Sequence, residues 1–536
     1  MIRMPVRSLP PTISVLRAVL SNSMGVVLLA IFAWLGSPLA HANDTISTDA
    51  RALHVLNRLG FGPRPGDIRR VEAMGIERYI DQQLHPESIP MPDSLKRRLQ
   101  GYDTLKLDPV QLYLEYGPPR AQPGHRPDPQ ALKQARQRSR IILEQAQDAR
   151  LLRAIESPRQ LQEVMVDFWY NHFNVFAGKG MDHLWVGAYE QEAIRPYVLG
   201  HFRDLLDATA RHPAMLFYLD NWLNTAPGLP GAHGRFDGIN ENYAREVMEL
   251  HTLGVNGGYT QNDVISLAHI LTGWGMRPGN RNADGQFGFY FDPRRHDFGD
   301  QIFLGHDIRG ANEVEGEHAL DMLARSPRTA RHISYELAQY FVADHPDPAL
   351  VNTLTQRFLD TDGDIREVLK TLFHSSQFWA KTNVNNKFKT PYQYVVSSVR
   401  ATGMSVTNFR PLVGMLYQLG MPLYGCQTPN GYKNTQRAWL NPDAMNRRLG
   451  FATALASGRL PIDRPPPAAN MVADAADGMV AHTAPMRRQP IQPADDWQLG
   501  QTLANQFSDR TLTALNSAPP VLRAALILGS PEFMRR

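Results

Sequence analysis

A chain of 536 residues with 43% hydrophobic and 20% charged residues has ordinary globular composition, and it is long enough to bury a large core without cross-links. The formal net charge is +4, yet residues 1–42 hold three arginines and no acid, so their removal leaves +1 and no charge argument for nucleic-acid binding. Cys426 is the only cysteine, which excludes an intramolecular disulfide.

The first segment reads as an export signal. Arg3, Arg7 and Arg17 precede the apolar run 25–36, and Ala40-His41-Ala42 offers small residues where a signal peptidase reads them. The run is short for a bilayer span of roughly 20 residues, and no cysteine follows the cleavage site to carry a lipid. The expectation is a periplasmic or secreted protein, cut after Ala42, with no stable membrane anchor.

Asp49 to Leu59 has apolar residues at helical spacing, and the Gly/Pro-rich stretch 60–66 separates it from a second helix over 67–84. Residues 117–129 carry too much proline and glycine for regular structure, and a charged helix is expected over 130–155. Helical pattern continues to about Gly275, with Thr260 and Asp263 spaced as a capping box. Aromatic alternation in 286–292 and 301–304 predicts a small hairpin. Helices resume over 313–378 and on to 457. Asp364 reads as an N-cap and not as part of a calcium loop, because the glycine of 360–364 is misplaced and no closing glutamate stands where one is needed. The expected organisation is a signal peptide (1–42), an N-terminal helix-pair region (43–116), a Pro/Gly-rich loop (117–129), a main helical domain with hairpin insertion (130–459), a linker poor in large apolar groups (460–497) and a C-terminal helical segment (498–536). The fold class is mainly α, a large multi-helical domain with a small β-hairpin insertion near residues 286–304.

Three segments carry the residue types of chemistry. In 240–254, read as one helix, Glu241, Arg245, Glu249, Asn242 and Glu246 share an arc opposite Tyr243, Val247 and Leu250. The i, i+4 spacing of Glu241, Arg245 and Glu249 lets one guanidinium bridge two carboxylates, leaving Glu246 as the available acid. His251 projects into the apolar arc and reads as structural. Glu246 and Glu249 on one face also resemble half of a carboxylate metal site, for which His172 would be the third ligand. The alternative is a buried Arg245-centred network. In 167–176, Asn171 and His172 sit among five aromatic residues, so His172 reads either as a hydrogen-bonded core histidine or as a general base. His296-Asp297 lies in the hairpin loop, where it is an acid/base candidate or simply turn chemistry. There is no nucleophile elbow, phosphate loop or dinucleotide fingerprint.

The motifs at 57–63, 168–173, 240–246, 249–254, 258–261, 271–274, 296–297, 429–432 and 438–442 together resemble the bacterial family catalogued as domain of unknown function 1800. The resemblance spans nearly all of the mature chain. The family usually has a lysine shortly after its His-Asp pair, where this chain has Gln301. The resemblance implies an exported, mostly helical protein, and suggests as partner an exported protein of the family catalogued as domain of unknown function 1501, which is similar to sulfatases and alkaline phosphatases. Three functions follow as expectations. The first is a hydrolase or lyase acting on envelope or extracellular polysaccharide through His172, Asn171, Tyr243, Arg245, Glu246, His296 and Asp297. Asn171, His172, Tyr243 and Arg245 are the residue types that helical polysaccharide lyases use on a uronate. The second is a non-catalytic binding or assembly partner of another exported protein, and the third a metal-dependent enzyme using Glu246, Glu249 and His172.

Overall fold

The computed structural model describes residues 47–119, 128–232, 238–277, 288–464 and 493–536, and from Ser47 to Arg536 the chain forms one compact unit. It is mainly helical, with two small two-stranded sheets. The signal-peptide expectation, the interior of the 117–129 loop and most of the 460–497 linker lie outside the described residues.

The helices begin where local chemistry caps them. Ser47 accepts from the Ala50 amide to open Thr48–Arg58, Asp128 caps the 28-residue helix Pro129–Glu156, and Asp364 accepts from the Glu367 amide. Thr260 and Asp263 form the expected capping box of Gln261–Ile270. The helix expected over 67–84 is two, Asp67–Met74 and Ile76–Leu84, because Gly75 between them adopts φ +89°, a conformation that breaks the helical path.

The segment 240–254 departs from a single α-helix. It is α-helical over Glu241–Glu246, then winds as a π-turn over Val247–His251 before closing on Gly254, whose amide donates to the Met248 carbonyl. A π-turn inserts one extra residue per hydrogen-bonded ring, so residues before and after it lose i, i+4 alignment. That shift redraws the polar arc, as shown below.

Strands form in the expected region but take other partners. β1 (Trp274–Met276) pairs antiparallel with β2 (Phe289–Phe291), and β3 (Gln301–Phe303) pairs with β4 (His306–Ile308). The 286–292 and 301–304 segments therefore do not pair with each other. The two residues Leu304 and Gly305 turn β3 directly into β4, a connection tight enough to set that pairing locally, whereas β2 reaches back across residues 277–288 to β1. Among the described residues no helix is long and apolar enough to cross a membrane.

One continuous apolar core runs through the unit, with Trp169, Trp185 and Trp274 fully buried. Two kinds of buried polar feature interrupt it. Arg150 donates to Asp167 at 2.8 Å and lies 3.3 Å from Glu190, which also meets Arg195 (3.1 Å) and accepts from the Tyr424 hydroxyl (2.8 Å). Arg195 in turn holds both oxygens of Glu163 at 3.0 Å. Burial pushes the Asp167 carboxyl up, and Arg150, with Arg536 further off, does not cancel that effect. Burial also opposes ionisation of Glu190, but Arg150, Arg195 and Arg153 together overrule it and lower that carboxyl. The second kind is the sequence-distant clamp. Arg58 donates to the carbonyls of Phe341, Val342 and Asn383, and Arg400 donates to those of Gly62 and Ile155.

Candidate active site

His172 ends the helix Gln160–His172, nearly all of which is buried, and it lies among Phe168, Trp169 and Phe173. Its Nδ1 donates to Glu336 Oε2 at 2.7 Å and its Nε2 donates to the His251 carbonyl at 3.1 Å. Both ring nitrogens are thus engaged within the protein, and neither is left for a substrate. The carbonyl it meets belongs to the last residue of the π-turn. Burial works against the charged form of Glu336, but His172, then His332 and Lys433, outweigh it and pull the carboxyl down to about 2. A carboxyl depressed in the folded state contributes stability that is present above its unfolded value near 4.5 and is lost as pH falls towards 2. Because Glu336 is 31% exposed, the contribution is about 1–2 kcal/mol. Urea midpoints of the wild type and Glu336→Gln should differ at pH 5 and converge on acidification; a gap that stays constant would contradict the ion pair.

Asn171, next to it, uses its whole amide on one loop. Its Nδ2 donates to the Tyr432 carbonyl at 2.9 Å, and its Oδ1 accepts from the Tyr432 amide at 2.7 Å. Tyr243 is 1% exposed, and burial holds its phenol far above the ordinary range. Arg245 pairs with Glu241 at 2.7 Å and with Gln261 at 3.0 Å, while Glu249 accepts from the Tyr259 hydroxyl at 3.1 Å. The expected double clamp by Arg245 is thus a single one, because the π-turn carries Glu249 out of line with it. Glu246 is half-buried; burial first and the Glu249 charge second raise its carboxyl, against Arg245. Neither Glu246 nor Glu249 shares a hydrogen bond or ion pair with His172. Among the described residues no group of three or more His, Cys, Asp or Glu side chains is arranged to hold a metal ion. Glu315 and His318 have Glu-x-x-His spacing, but Glu315 is buried and His318 exposed.

His296 and Asp297 point to different partners. His296 is 1% exposed; its Nδ1 donates to the Thr272 carbonyl at 2.8 Å and its Nε2 abuts the equally buried Glu315. That approach is an ion-pair contact without an aligned hydrogen bond. Asp297 instead accepts at Oδ2 from His269 Nδ1, 2.6 Å away, and at Oδ1 from the Gly299 amide at 2.9 Å. Thr272 ties the two segments together: its hydroxyl donates to the His269 carbonyl (2.6 Å) and accepts from the Asp297 amide (2.9 Å). Gly273 has φ +78°, and a Cβ there would lie 2.7 Å from the Asp292 carbonyl oxygen and 3.3 Å from His296 Cβ. Only glycine lets the 292–297 segment lie against the end of the helix Gln261–Ile270, which brings Asp297 to His269.

His269 was not singled out from the sequence. Its partner stands 28 residues on, and the usable signal was polar His269 and Thr272 flanking the end of an apolar helix. The carboxylate fixes the proton on Nδ1 and leaves the Nε2 lone pair available. No described residue hydrogen-bonds Nε2, and the side chain is 20% exposed. Phe298 (54% exposed) and Ile302 (66%) stand on the loop and strand that follow. The arrangement is an oriented base facing solvent, with no protein nucleophile hydrogen-bonded to it.

No curated protein and no solved structure matches the chain. A family model described as "Protein of unknown function (DUF1800)" matches residues 54–535. The chain belongs to that family, over nearly its whole length.

Proposed function

We propose that this is an exported enzyme, a hydrolase or lyase, that acts on envelope or extracellular polysaccharide, with His269 as the general base and Asp297 as the residue that positions it. The observation that carries this reading is the His269 Nε2 left free while Asp297 holds Nδ1 at 2.6 Å. With no serine, threonine or cysteine hydrogen-bonded to Nε2 among the described residues, the base acts on water or on a substrate proton, which are the steps of hydrolysis and elimination. The N-terminal signal pattern supports export, and an exposed aromatic beside the dyad suits the flat face of a sugar ring. His172 has both ring nitrogens hydrogen-bonded and His296 is sealed in the core against Glu315, so neither is given a role in proton transfer. The test is to incubate the mature protein with peptidoglycan, alginate and other uronate polymers, following new reducing ends and unsaturated products. Product from the wild type and not from His269→Ala is expected. No product from any polymer, or equal product from His269→Ala, sinks the proposal.

A second reading, assembly with another exported protein such as one of the domain of unknown function 1501 family, is favoured by one surface. Trp497 (73% exposed), Val521 (70%) and Leu522 (45%) lie on the C-terminal helices Asp496–Thr502 and Pro520–Leu528. Co-purification lost in Trp497→Ser would support it, and a protein that remains alone would not.

A further inference from the structure

A cleft of about 450 Å³ opens between the first described helix and the end of the chain, and it shares no lining residue with the His269–Asp297 dyad. The C-terminal residues form its wall by pairing as an extended strand with 387–389: Lys389 N–H donates to the Met534 carbonyl, and Arg536 and Lys387 exchange backbone hydrogen bonds. The lining joins three cations, Lys389, Arg535 and Arg536, to His54 and to the side-chain amides of Asn57, Asn385, Asn505 and Gln506.

The charges in and behind this cleft are only partly compensated: Asp344 acts on Arg58, Arg535 and Arg536, and Asp167 on Arg536, without coming within ion-pair distance of them. Arg58 and Arg448, both fully buried, stand behind it. Arg58, Arg448, Arg535 and Arg536 donate only to neutral acceptors. None of the four, nor Lys389, has an ion pair with a described carboxylate; Lys387 alone takes Asp344. Lys389 is 3% exposed, and its Nζ makes no hydrogen bond, lying 4.1 Å above the Phe533 ring. The Nε atoms of Arg58, Arg448 and Arg536 and the Nδ1 of His54 are buried without a hydrogen-bond partner. The one acid in the lining, Glu532, is engaged by the Ser508 amide and the Thr511 hydroxyl. Guanidinium groups do not shed their protons in proteins, and a buried charge without a counter-ion is costly.

We propose that this cleft binds the dianionic oxyanion of a small phosphate-bearing molecule, with Lys389, Arg535 and Arg536 holding the phosphate. Three cations in one lining suit a dianion better than a single carboxylate. The four amides in the lining have the donors and acceptors to meet hydroxyl groups, and the volume suits a sugar phosphate. Burial, with Arg536 and Arg448 beside it, holds the Lys389 ammonium well below the ordinary lysine range, a position an incoming anion relieves. The proposal does not depend on the enzymatic reading of the dyad.

Thermal unfolding of the mature protein tests it, with inorganic phosphate and glucose 6-phosphate titrated at ionic strength held constant with sodium chloride. Both are expected to raise the midpoint saturably. Glucose 6-phosphate acting at lower concentration supports recognition of the hydroxyls, and equal potency assigns the site to phosphate itself. Lys389→Met should raise the midpoint of the phosphate-free protein and abolish the response, a pair of effects that loss of a structural contact does not give. Arg535, only half-buried, provides a second variant: Arg535→Gln should weaken the phosphate response about tenfold. A wild-type shift no larger than that given by sodium chloride, or a full phosphate response kept by Arg535→Gln together with either retention of the response or no gain in midpoint in Lys389→Met, overturns the proposal.

Discussion

Arg150→Met should be among the most damaging single substitutions in this chain, costing about 3–5 kcal/mol. The side chain is 6% exposed and serves two carboxylates, Asp167 (9%) and Glu190 (0%). Methionine fills much of the volume, so cavity formation is not the main loss; the loss is a counter-charge. Glu190 would keep Arg195, but Asp167 would lose its one paired arginine and keep only the more distant charge of Arg536, which favours uptake of a proton inside the core. The stacked tyrosines around the guanidinium, with ring centroids 5.0–5.4 Å away, offer no replacement charge. A urea midpoint well below wild type, or failure to accumulate soluble protein, is the expected result. Arg357→Gln is the comparison: its pair with Glu367 is 39% and 29% exposed, and such surface pairs contribute about 0–1 kcal/mol. Equal effects of the two substitutions would show that the buried network is not the anchor described.

The largest expected effect on activity belongs to His269. Removing a positioned general base costs about 10²–10⁴-fold in rate, so His269→Ala should lose turnover on that scale on whichever polymer the wild type degrades. Asp297→Asn should fall nearly as far by another route. An asparagine amide turned to donate to Nδ1 shifts the imidazole proton to Nε2, the nitrogen that must accept. Both side chains are partly exposed, 20% and 26%, so neither change should move the unfolding midpoint by more than about 1 kcal/mol. Activity lost at preserved stability separates a reacting base from a structural histidine, and activity lost only in step with stability would refute the assignment.

The helices from Thr48 and from Pro129, the Thr260 capping box and the Asp364 N-cap could be read from the sequence because each depends on residues within a turn or two of one another. The π-turn at Val247–His251 could not, since it costs local hydrogen-bond quality and is held by packing around His251 and by the hydrogen bond that the His251 carbonyl accepts from His172. The same distinction governs the site. Asn171, His172, His296 and Asp297 were recognised by type, but what each does is decided by partners far off in sequence: Glu336 lies 164 residues from His172, and Tyr432 lies 261 from Asn171. Adjacent His296 and Asp297 proved to serve separate pairs. Extended backbone sends neighbouring side chains in opposite directions, so one turned into the core towards Glu315 and the other outwards to His269.

The clamps made by Arg58 and Arg400 have a consequence for the order in which the molecule can be completed. A ribosome or translocon delivers residue 58 long before residues 341, 342 and 383 that satisfy it, and Gly62 waits likewise for Arg400. Until those arrive, the first helix carries a guanidinium it cannot afford to bury, so the early chain is biased against premature collapse. The first described helix, Thr48–Arg58, is thereby among the last elements to be locked in place.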